Sequence, residues 1–311
     1  MIVSVIIVTF NSSSVIDRCF DALRLSQLAN SMEIIVVDNG STDTTVTKLK
    51  SYQGTQMPFE SFRVIYLATN HGYARANNVG FKYSNGDYVL LLNPDAFVQR
   101  DTISGCLEKL VENPRAGAIG CRLTLANGKI DKACRRSLPT IITSAYRLSG
   151  LSLLFPRSRF AQYNLTYLDD YGTYPVGSVS GAFLLTTRVA YLKAGGLDEA
   201  FFMYGEDLAY CNRMHKIGLE VWYDGVHCAV HLKGANGGKK TAASLFFFYR
   251  AMYIYYRKYS KSTAAGLIAV NLVTIVLFCL HLMSDNLRKL VGFLSRQGRV
   301  ESGVEHNDLS Y

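Results

Sequence analysis

A chain of 311 residues is long enough to bury a full-sized hydrophobic core, and 49% hydrophobic against 18% charged residues argues against a disordered protein. The net charge of +9 suits nucleic acid, anionic lipid or a phosphate-bearing substrate, because each attracts Lys and Arg. The basic residues form no long run. They gather among tyrosines at residues 250–261 and again near the C-terminus, which favours a membrane surface and argues against nucleic acid.

The seven cysteines and the N-terminus both point to the cytoplasm. The cysteines contain no CxxC pair and no spacing typical of metal ligands, so the sequence indicates neither a zinc site nor a disulfide framework. The chain passes from Met1 directly into the apolar run IVSVIIV, without the basic region and cleavage site of a signal peptide. We therefore expect a cytoplasmic protein with reduced thiols.

Strand-like and helix-like segments alternate over the first 92 residues. Apolar, β-branched runs are typical of strands buried on both faces, and they occur at residues 2–8, 34–37, 64–67 and 88–92. Helical spacing separates them at residues 15–28, 44–52 and 74–83. The alternation predicts an α/β fold with a Rossmann-like, mostly parallel sheet flanked by helices.

The pattern weakens between about residues 120 and 175. Here RRSLPT and LFPRSRF are typical of loop and short helix. Order returns at VGSVSGAFLL, and the residues up to 231 indicate strand, helix, loop, helix and strand.

Polar residues follow each of the four predicted strands. In a sheet of this kind ligands bind beyond the carboxyl ends of the strands, so these residues should meet in one crevice. They are Thr9 and Asn11, Asp38 and Asn39, residues 70–72, and Asn93 and Asp95.

The first two strand ends suit a nucleotide. Asp38 can accept a hydrogen bond from the imide N–H of a pyrimidine, while Thr9 and Asn11 line the same base and ribose. The alternative is that Asp38 only caps the helix that follows it.

Asp95 follows the strand DYVLLL and is a candidate metal ligand. A divalent cation there would bridge the carboxylate and a diphosphate. The alternative, a simple Asn-Pro-Asp turn, is compatible with metal binding.

Two further segments carry candidate catalytic groups. Glu206 and Asp207 precede an amphipathic helix, where acidic residues often serve as caps, but one of two adjacent carboxylates can also deprotonate an acceptor hydroxyl. His231 is followed by a glycine-rich stretch, residues 232–238, that resembles a loop closing over a diphosphate, with Lys233 supplying charge.

The C-terminal region has the composition of a membrane-associated segment. Residues 264–283 carry no formal charge and are long enough to span a bilayer, although Asn271 and His281 weaken that interpretation. The preceding FFFYRAMYIYYRKYSK interleaves aromatic residues with cations, as an interfacial helix does. Spanning the bilayer, lying on it and packing in a homo-oligomer remain open.

In unbroken order over residues 2–240, the motifs VSVIIVTFNS, IIVVDNGSTD, NHGYARANNVG, GDYVLLLNPDA, MYGEDLAYCNR and YDGVHCAVH resemble glycosyltransferase family 2 with the GT-A fold. Within it the sequence is most similar to bacterial rhamnosyltransferases. The resemblance implies a GT-A catalytic domain at 1–240 and a membrane-associated helical tail at 241–311.

The resemblance also implies roles for individual residues. The family positions that bind the nucleotide base and ribose correspond to Thr9, Asn11, Asp38 and Asn39, and those that approach the nucleotide correspond to Asn77 and Asn78. The ends of the DxD metal motif correspond to Asn93 and Asp95, with Asn93 replacing the first Asp.

Asp207 matches the catalytic base of the family's ED motif, which includes Glu206, and His231 matches a histidine that can face the metal. Ala209 stands where many members carry a further Asp.

These matches imply an inverting transfer that depends on Mg²⁺ or Mn²⁺. The expected donor is a nucleotide sugar, dTDP-L-rhamnose in this branch, and the expected acceptor is a bacterial surface glycan, commonly lipid-linked. Three alternatives remain. The first is another nucleotide sugar. The second is a non-catalytic, membrane-attached glycan-binding protein, which would not need both Asp95 and Asp207. The third, a dinucleotide-dependent oxidoreductase, lacks a GxGxxG turn after the first strand.

Overall fold

The structure is a computed structural model that describes residues 2–233, 241–260 and 264–301. Strands and helices alternate through most of these residues. In chain order they are β1 (Val3–Thr9), α1 (Ile16–Arg24), β2 (Met32–Asp38), α2 (Thr45–Gln53), β3 (Ser61–Tyr66), α3 (Tyr73–Lys82), β4 (Tyr88–Leu92), β5 (Ala96–Val98), α4 (Thr102–Glu112), β6 (Ala116–Thr124), β7 (Arg135–Arg136), α5 (Ile141–Leu148), α6 (Leu151–Leu154), β8 (Thr173–Val176), β9 (Ser178–Val179), β10 (Phe183–Thr187), α7 (Arg188–Lys193), α8 (Glu206–Lys216), β11 (Glu220–His231), α9 (Ala242–Tyr259) and α10 (Ala264–Glu301).

A nine-stranded mixed sheet forms the centre of the fold. Its order is β3-β2-β1-β4-β10-β6-β11-β5, and β8 also pairs with β11. The first four strands in this order are parallel, as is the pair β6 and β11, whereas β10, β5 and β8 are antiparallel to their neighbours. The predicted α/β fold with a mostly parallel sheet is confirmed.

The hydrophobic core lies on both faces of this sheet. Every residue of β1 and β2 is buried, which explains their unbroken apolar runs. Helix α3 approaches the sheet closely at Gly80, where a Cβ atom would lie 2.5 Å from the Ile6 side chain. Parallel pairing places Thr9 opposite Asp38, so these two strands end at the same level of the crevice.

The predicted strands and helices of the first 92 residues are all present, with bounds that differ by a few residues. The largest difference in this part is α1, predicted to reach residue 28 but ending at Arg24. The prediction of loop for RRSLPT was wrong at its start, because Arg135 and Arg136 form β7 and pair with β9. A two-residue strand has no periodicity that a sequence pattern could reveal.

The two C-terminal helices differ in their packing. Helix α9 packs against α8, where Ala251 and Tyr255 join Phe201 and Ala209 in a small apolar cluster. Helix α10 folds back along α9, and the Tyr249 hydroxyl bonds His281 Nδ1 at 2.7 Å. The predicted domain boundary at residue 240 lies outside the described residues and remains a prediction.

Candidate active site

The carboxyl end of β2 holds a fully buried carboxylate, that of Asp38. Its Oδ1 accepts hydrogen bonds from the hydroxyls of Thr9 at 2.9 Å and Ser41 at 2.6 Å, and its Oδ2 accepts one from the Ser41 amide at 3.0 Å. The carboxylate therefore fixes the turn after β2 against the end of β1.

Asn11 and Asn39 shape the loops on either side of Asp38. Asn11 adopts a left-handed backbone with φ of 50°, and its Oδ1 accepts the Thr42 amide at 2.8 Å. Asn39 is buried, donates to Asn70 Oδ1 at 2.9 Å and accepts from the His71 amide at 2.9 Å. The predicted nucleotide residues of β1 and β2 thus share one hydrogen-bonded set of loops.

The two predicted asparagines of α3 differ in what they contact. Asn77 is buried; its Nδ2 donates to the Tyr73 carbonyl, and its Oδ1 has no hydrogen-bond partner within the protein. Asn78 uses both ends of its amide on the protein. It donates to the Leu197 carbonyl at 2.9 Å and accepts from the Tyr191 hydroxyl at 2.7 Å. Its contacts hold the loop before α8 against α3.

A chain of charged groups lies where β4 gives way to β5. Asp95 Oδ1 is 3.3 Å from His231 Nε2, and the other ring nitrogen of His231 is 3.2 Å from Asp131 Oδ2. Lys233 Nζ lies 3.0 Å from Asp131 Oδ1. The structure therefore brings the two predicted metal residues together, although they are far apart in sequence, and adds Asp131, which the sequence analysis did not single out.

These contacts set the charge of the imidazole. Burial alone would lower the pKa of His231, but hydrogen bonds to Asp131 and Asp95 raise it to about 9. Burial alone would raise the pKa of Asp131, but the hydrogen bond from His231 and the charge of Lys233 hold it well below its usual range.

The donor set at Asp95 and His231 fits a divalent cation. A carboxylate oxygen and an imidazole nitrogen are ligands that Mn²⁺ accepts, and two ligands at about 2.1 Å from one ion are about 3.0 to 3.5 Å apart. The 3.3 Å separation of Asp95 Oδ1 and His231 Nε2 is compatible with that spacing, and an ion bound there would replace the proton that raises the charge of His231. Asp131 would orient the imidazole through its second nitrogen, as carboxylates commonly do for histidine ligands.

At the N-terminus of α8, the Asp207 carboxylate is held from several directions. Its Oδ2 lies 2.6 Å from Arg136 Nη2 and 3.2 Å from the Gly181 amide, and its Oδ1 accepts the Leu208 amide at 2.7 Å. Burial alone would lower the pKa of Arg136, but the adjacent Asp207 carboxylate raises it above its ordinary value. Asp207 is thus paired with a cation that the sequence analysis assigned to a loop.

The neighbouring carboxyl, that of Glu206, is in a different state. Burial, reinforced by the negative charge of Asp207, raises the pKa of Glu206 to about 8, so it is largely protonated at neutral pH. Its Oε2 is buried and has no hydrogen-bond partner within the protein. Two adjacent carboxyl groups therefore have separate roles available, one bound to Arg136, the other mostly neutral.

A short backbone path joins the metal-ligand segment to Asp207. The Asn93 amide donates to the Ala182 carbonyl at 3.0 Å, and the preceding residue, Gly181, donates its amide to Asp207. The Tyr73 hydroxyl donates to the Gly181 carbonyl at 2.8 Å, which ties α3 to the same point. The residues just before β10 therefore contact Asn93, α3 and Asp207, and so connect the predicted metal segment, the nucleotide helix and the predicted base.

A second set of side chains of the kinds that bind metals lies where α4 packs on β11. Among the described residues, one set of three such side chains has its ligand atoms within 4.8 Å of one another, and it consists of Cys106, Asp224 and His227. His227 Nδ1 is 2.6 Å from Asp224 Oδ2, which is hydrogen-bonding distance, and Asp224 Oδ1 also accepts the Val226 amide at 2.9 Å. These bonds stabilise the irregular part of β11 between Asp224 and Cys228.

The family model described as glycosyl transferase family 2 matches residues 4–166, which is more than half of the chain. The chain belongs to glycosyl transferase family 2. The predicted family and the predicted class of enzyme, a glycosyltransferase, are confirmed.

Relatives and solved structures agree with the family. The chain is 27% identical over 267 residues to the N-acetylglucosaminyl-diphospho-decaprenol L-rhamnosyltransferase of Mycobacterium tuberculosis, covering 82% of this chain and 83% of that protein. It is 26% identical to the low-salt glycan biosynthesis hexosyltransferase Agl10 of Haloferax volcanii, covering 73% of this chain and 66% of the relative.

Among solved structures, the mannosyltransferase PcManGT of Pyrobaculum calidifontis, in complex with GDP-Man and Mn²⁺, superposes with a TM-score of 0.59 at 17% identity. The match covers 96% of this chain and 79% of that one. The predicted GT-A fold of this family 2 glycosyltransferase is confirmed.

Two residues of this glycosyltransferase site escaped the sequence analysis. Arg136 lay in a segment without clear periodicity, and only the pair of adjacent arginines marked it. Asp131 follows a Gly-Lys turn signal and gave no motif at all. Both are revealed by the fold, because each contacts a predicted residue about 70 or 100 positions away.

Proposed function

We propose that this protein is an inverting, metal-dependent glycosyltransferase that moves L-rhamnose from dTDP-L-rhamnose to a hydroxyl of a lipid-linked bacterial surface glycan. The observation that supports the reaction type is a path of contacts from Asn39, which follows Asp38, through Gly72 and Tyr73 to Gly181 and the Asp207 carboxylate. The choice of sugar and acceptor rests on the similarity to the mycobacterial L-rhamnosyltransferase over 82% of the chain.

We assign the nucleotide to the ends of β1 and β2. Asp38 accepts from the base, and Thr9, Asn11 and Asn39 line the base and ribose. Asn77 has a free buried acceptor, Oδ1, that suits a donor group of the nucleotide sugar. Because the Asn78 amide is already bonded to the loop before α8, we assign it the role of positioning that loop.

Asp95 and His231 would hold Mg²⁺ or Mn²⁺, with Asn93 beside them. When bound there, a divalent cation neutralises charge on the departing nucleotide diphosphate. Asp131 keeps the His231 ring oriented, and Lys233 adds a positive charge at the same edge. The predicted closing of residues 232–238 over the diphosphate falls mostly on residues 234–240, outside the described residues.

Asp207 is the proposed base. It takes the proton of the acceptor hydroxyl while that oxygen attacks the anomeric carbon from the face opposite the nucleotide, so configuration inverts and no covalent enzyme intermediate forms. Arg136 pairs with the Asp207 carboxylate before the acceptor arrives, and the Gly181 amide fixes the orientation of the carboxylate. Glu206, mostly neutral, spares the site a second buried negative charge.

We also propose that α10 attaches the enzyme to the inner face of the cytoplasmic membrane. By length and composition, the described helices include one segment able to cross a membrane, Gly266–Met283, and only 6% of it is buried inside the protein. A helix that packs with a second subunit would expose the same residues. Vesicle flotation is measured for the wild type and for Leu272→Asp/Val276→Asp, and the size of each protein is measured without detergent. Flotation that the variant loses supports attachment, whereas an oligomer that the variant loses supports self-association.

A panel of nucleotide sugars tests the proposed donor. Thermal stabilisation and slow hydrolysis are measured for each, with and without Mn²⁺, in the wild type and in Asp38→Ala. We expect the largest stabilisation and hydrolysis with dTDP-L-rhamnose, dependent on the metal and weakened by Asp38→Ala. A response to a different nucleotide sugar would replace rhamnose as the donor, and a response to none would contradict the proposal.

A further inference from the structure

A second exposed apolar surface lies on α5, α6 and the residue after them, a few residues along the chain from Arg136, which binds Asp207. We call residues 141–155 the apolar hairpin. Single exposed apolar residues are ordinary, but a contiguous group marks an interaction site. The large hydrophobic side chains exposed within the hairpin are those of Ile141, Ile142, Leu153, Leu154 and Phe155.

The charged residues in the sequence of the apolar hairpin and its flanks are all basic. Residues 137–168 contain no Asp or Glu and three arginines, Arg147, Arg157 and Arg159. Residues 225–284, which include α9 and most of the apolar part of α10, also contain no acidic residue. Cations beside exposed apolar side chains suit an anionic lipid surface, which attracts each Lys or Arg near it.

Aromatic rings border the exposed leucines. Phe160 lies with its ring centroid 4.8 Å from that of Tyr146 and 5.8 Å from that of Phe155. The guanidinium of Arg159 lies 5.5 Å from the centre of the Phe160 ring. Rings and cations next to aliphatic side chains are typical of segments that lie at the level of lipid headgroups.

The hairpin is fixed to the C-terminal helices. The Tyr256 hydroxyl on α9 donates to the Thr140 carbonyl at 2.8 Å and lies 2.6 Å from the Ser144 hydroxyl. Helix α9 ends at Tyr259 and α10 begins at Ala264, so the hairpin and the start of α10 lie at the same end of α9. Both elements are therefore attached to α9 near its C-terminal end.

The hairpin is also fixed to the active site. Arg136, which binds Asp207, lies four residues before Thr140, where the hairpin is anchored to α9. A chain of four residues spans at most about 14 Å, so the anchored start of the hairpin lies within that distance of Arg136, the residue that binds Asp207.

We propose that the apolar hairpin inserts into the headgroup region of an anionic phospholipid bilayer, as a second membrane contact that holds the catalytic base beside the bilayer. The inference rests on the proposed membrane-bound, lipid-linked acceptor. It adds a contact that is separate in sequence from α10 and that places the active site, and not only the tail, at the lipid surface.

Tryptophan fluorescence locates the hairpin relative to lipid. The chain has a single Trp, Trp222, so Trp222→Phe gives a silent background for Leu154→Trp. Leu25, which follows α1, is the matched control because Leu25 and Leu154 are each 72% exposed. The full chain is bound to phosphatidylglycerol–phosphatidylcholine vesicles that carry brominated acyl chains.

Insertion to about 5–10 Å depth predicts at least about twofold stronger quenching of Trp at position 154 than at position 25. Equal quenching at both positions, with the protein shown by flotation to be vesicle-bound, would overturn the insertion while leaving the proposed function standing. Failure of the wild type to float would overturn the membrane attachment itself.

A second measurement does not depend on a new tryptophan. Leu153→Asp/Leu154→Asp should lower the vesicle partition coefficient by about tenfold or more, because two leucines that insert into the lipid are replaced by charges, whereas Leu25→Asp should not change it. Donor hydrolysis without vesicles should be the same in all three proteins. A wild-type partition coefficient in the double variant, or a dimer that the double variant abolishes, would instead assign the hairpin to protein contact.

Discussion

Replacement of Glu206 by Gln tests the electrostatics of the active site through protein stability. Glu206 is buried beside Asp207, which raises its pKa from the ordinary 4.5 to about 8. Between these two pH values the folded state holds a proton that the unfolded state releases, so the free energy of unfolding falls as the pH rises. Below pH 4.5 both states are protonated and the penalty is absent.

The magnitude follows from the two pKa values. At about 1.4 kcal/mol for each pH unit, the upward shift costs on the order of several kcal/mol above pH 8, and the cost is absent below pH 4.5. Gln has nearly the same shape and no charge, so Glu206→Gln lacks this pH-dependent cost. Relative to the wild type, the variant should therefore gain several kcal/mol in its free energy of unfolding between pH 5 and pH 8.

Urea unfolding in detergent, repeated from pH 5 to pH 9, measures the difference. The matched control is Glu108→Gln, which removes an exposed glutamate from α4 and should give a difference that does not change with pH over this range. Parallel stability curves for the wild type and Glu206→Gln would refute a largely protonated Glu206. So would a gain for the variant that is already complete at pH 5.

Three further outcomes are expected. Asp95→Ala should weaken Mn²⁺-dependent binding of the nucleoside diphosphate in calorimetry by about tenfold or more while leaving metal-free binding unchanged, and equal loss in both conditions would place Asp95 outside the metal site. Asp38→Ala should weaken nucleotide binding with and without Mn²⁺, because it removes the carboxylate that fixes the turn at Ser41; a loss seen only with metal would contradict this. Arg136→Met should destabilise the protein by about 3 to 5 kcal/mol, since Asp207 is left buried and unpaired, and an unchanged urea midpoint would show that the pair is dispensable.

The first half of the fold was predictable because local sequence and burial agree there. Strands such as β1 and β2 are buried along their whole length, so their apolar runs are unbroken, and polar residues begin where the strands end. Parallel pairing then brings Thr9 opposite Asp38, which is why strand ends alone indicated a shared nucleotide site.

The contacts that complete the site were not predictable in this way. Arg136 meets Asp207 across 71 positions of sequence, and Asp131 meets His231 across 100, through segments that have little periodicity. A two-residue strand such as β7 takes its conformation from its partner β9 and not from its own residues. The cluster of Cys106, Asp224 and His227 was hidden for the same reason, since α4 and β11 join it only in the fold.

Exposed apolar surfaces could also be predicted from the sequence only in part. The apolar composition of residues 264–283 was evident because it is continuous. In the hairpin, apolar residues are interrupted by polar ones, and only their exposure distinguishes them from core positions. A hydrophobic residue in a short helix does not by itself reveal whether protein, lipid or a second subunit covers it.

Transfer by the Asp207→Asn variant tests the central claim most directly. With donor, lipid-linked acceptor and Mn²⁺, turnover and the anomeric configuration of the product are measured by NMR beside a calorimetric titration of the nucleotide. We predict an inverted product from the wild type, and in the variant a turnover lower by about two to four orders of magnitude with nucleotide affinity unchanged. Wild-type turnover in Asp207→Asn, or a product that retains the donor configuration, would contradict the assignment of Asp207 as the base of an inverting transfer.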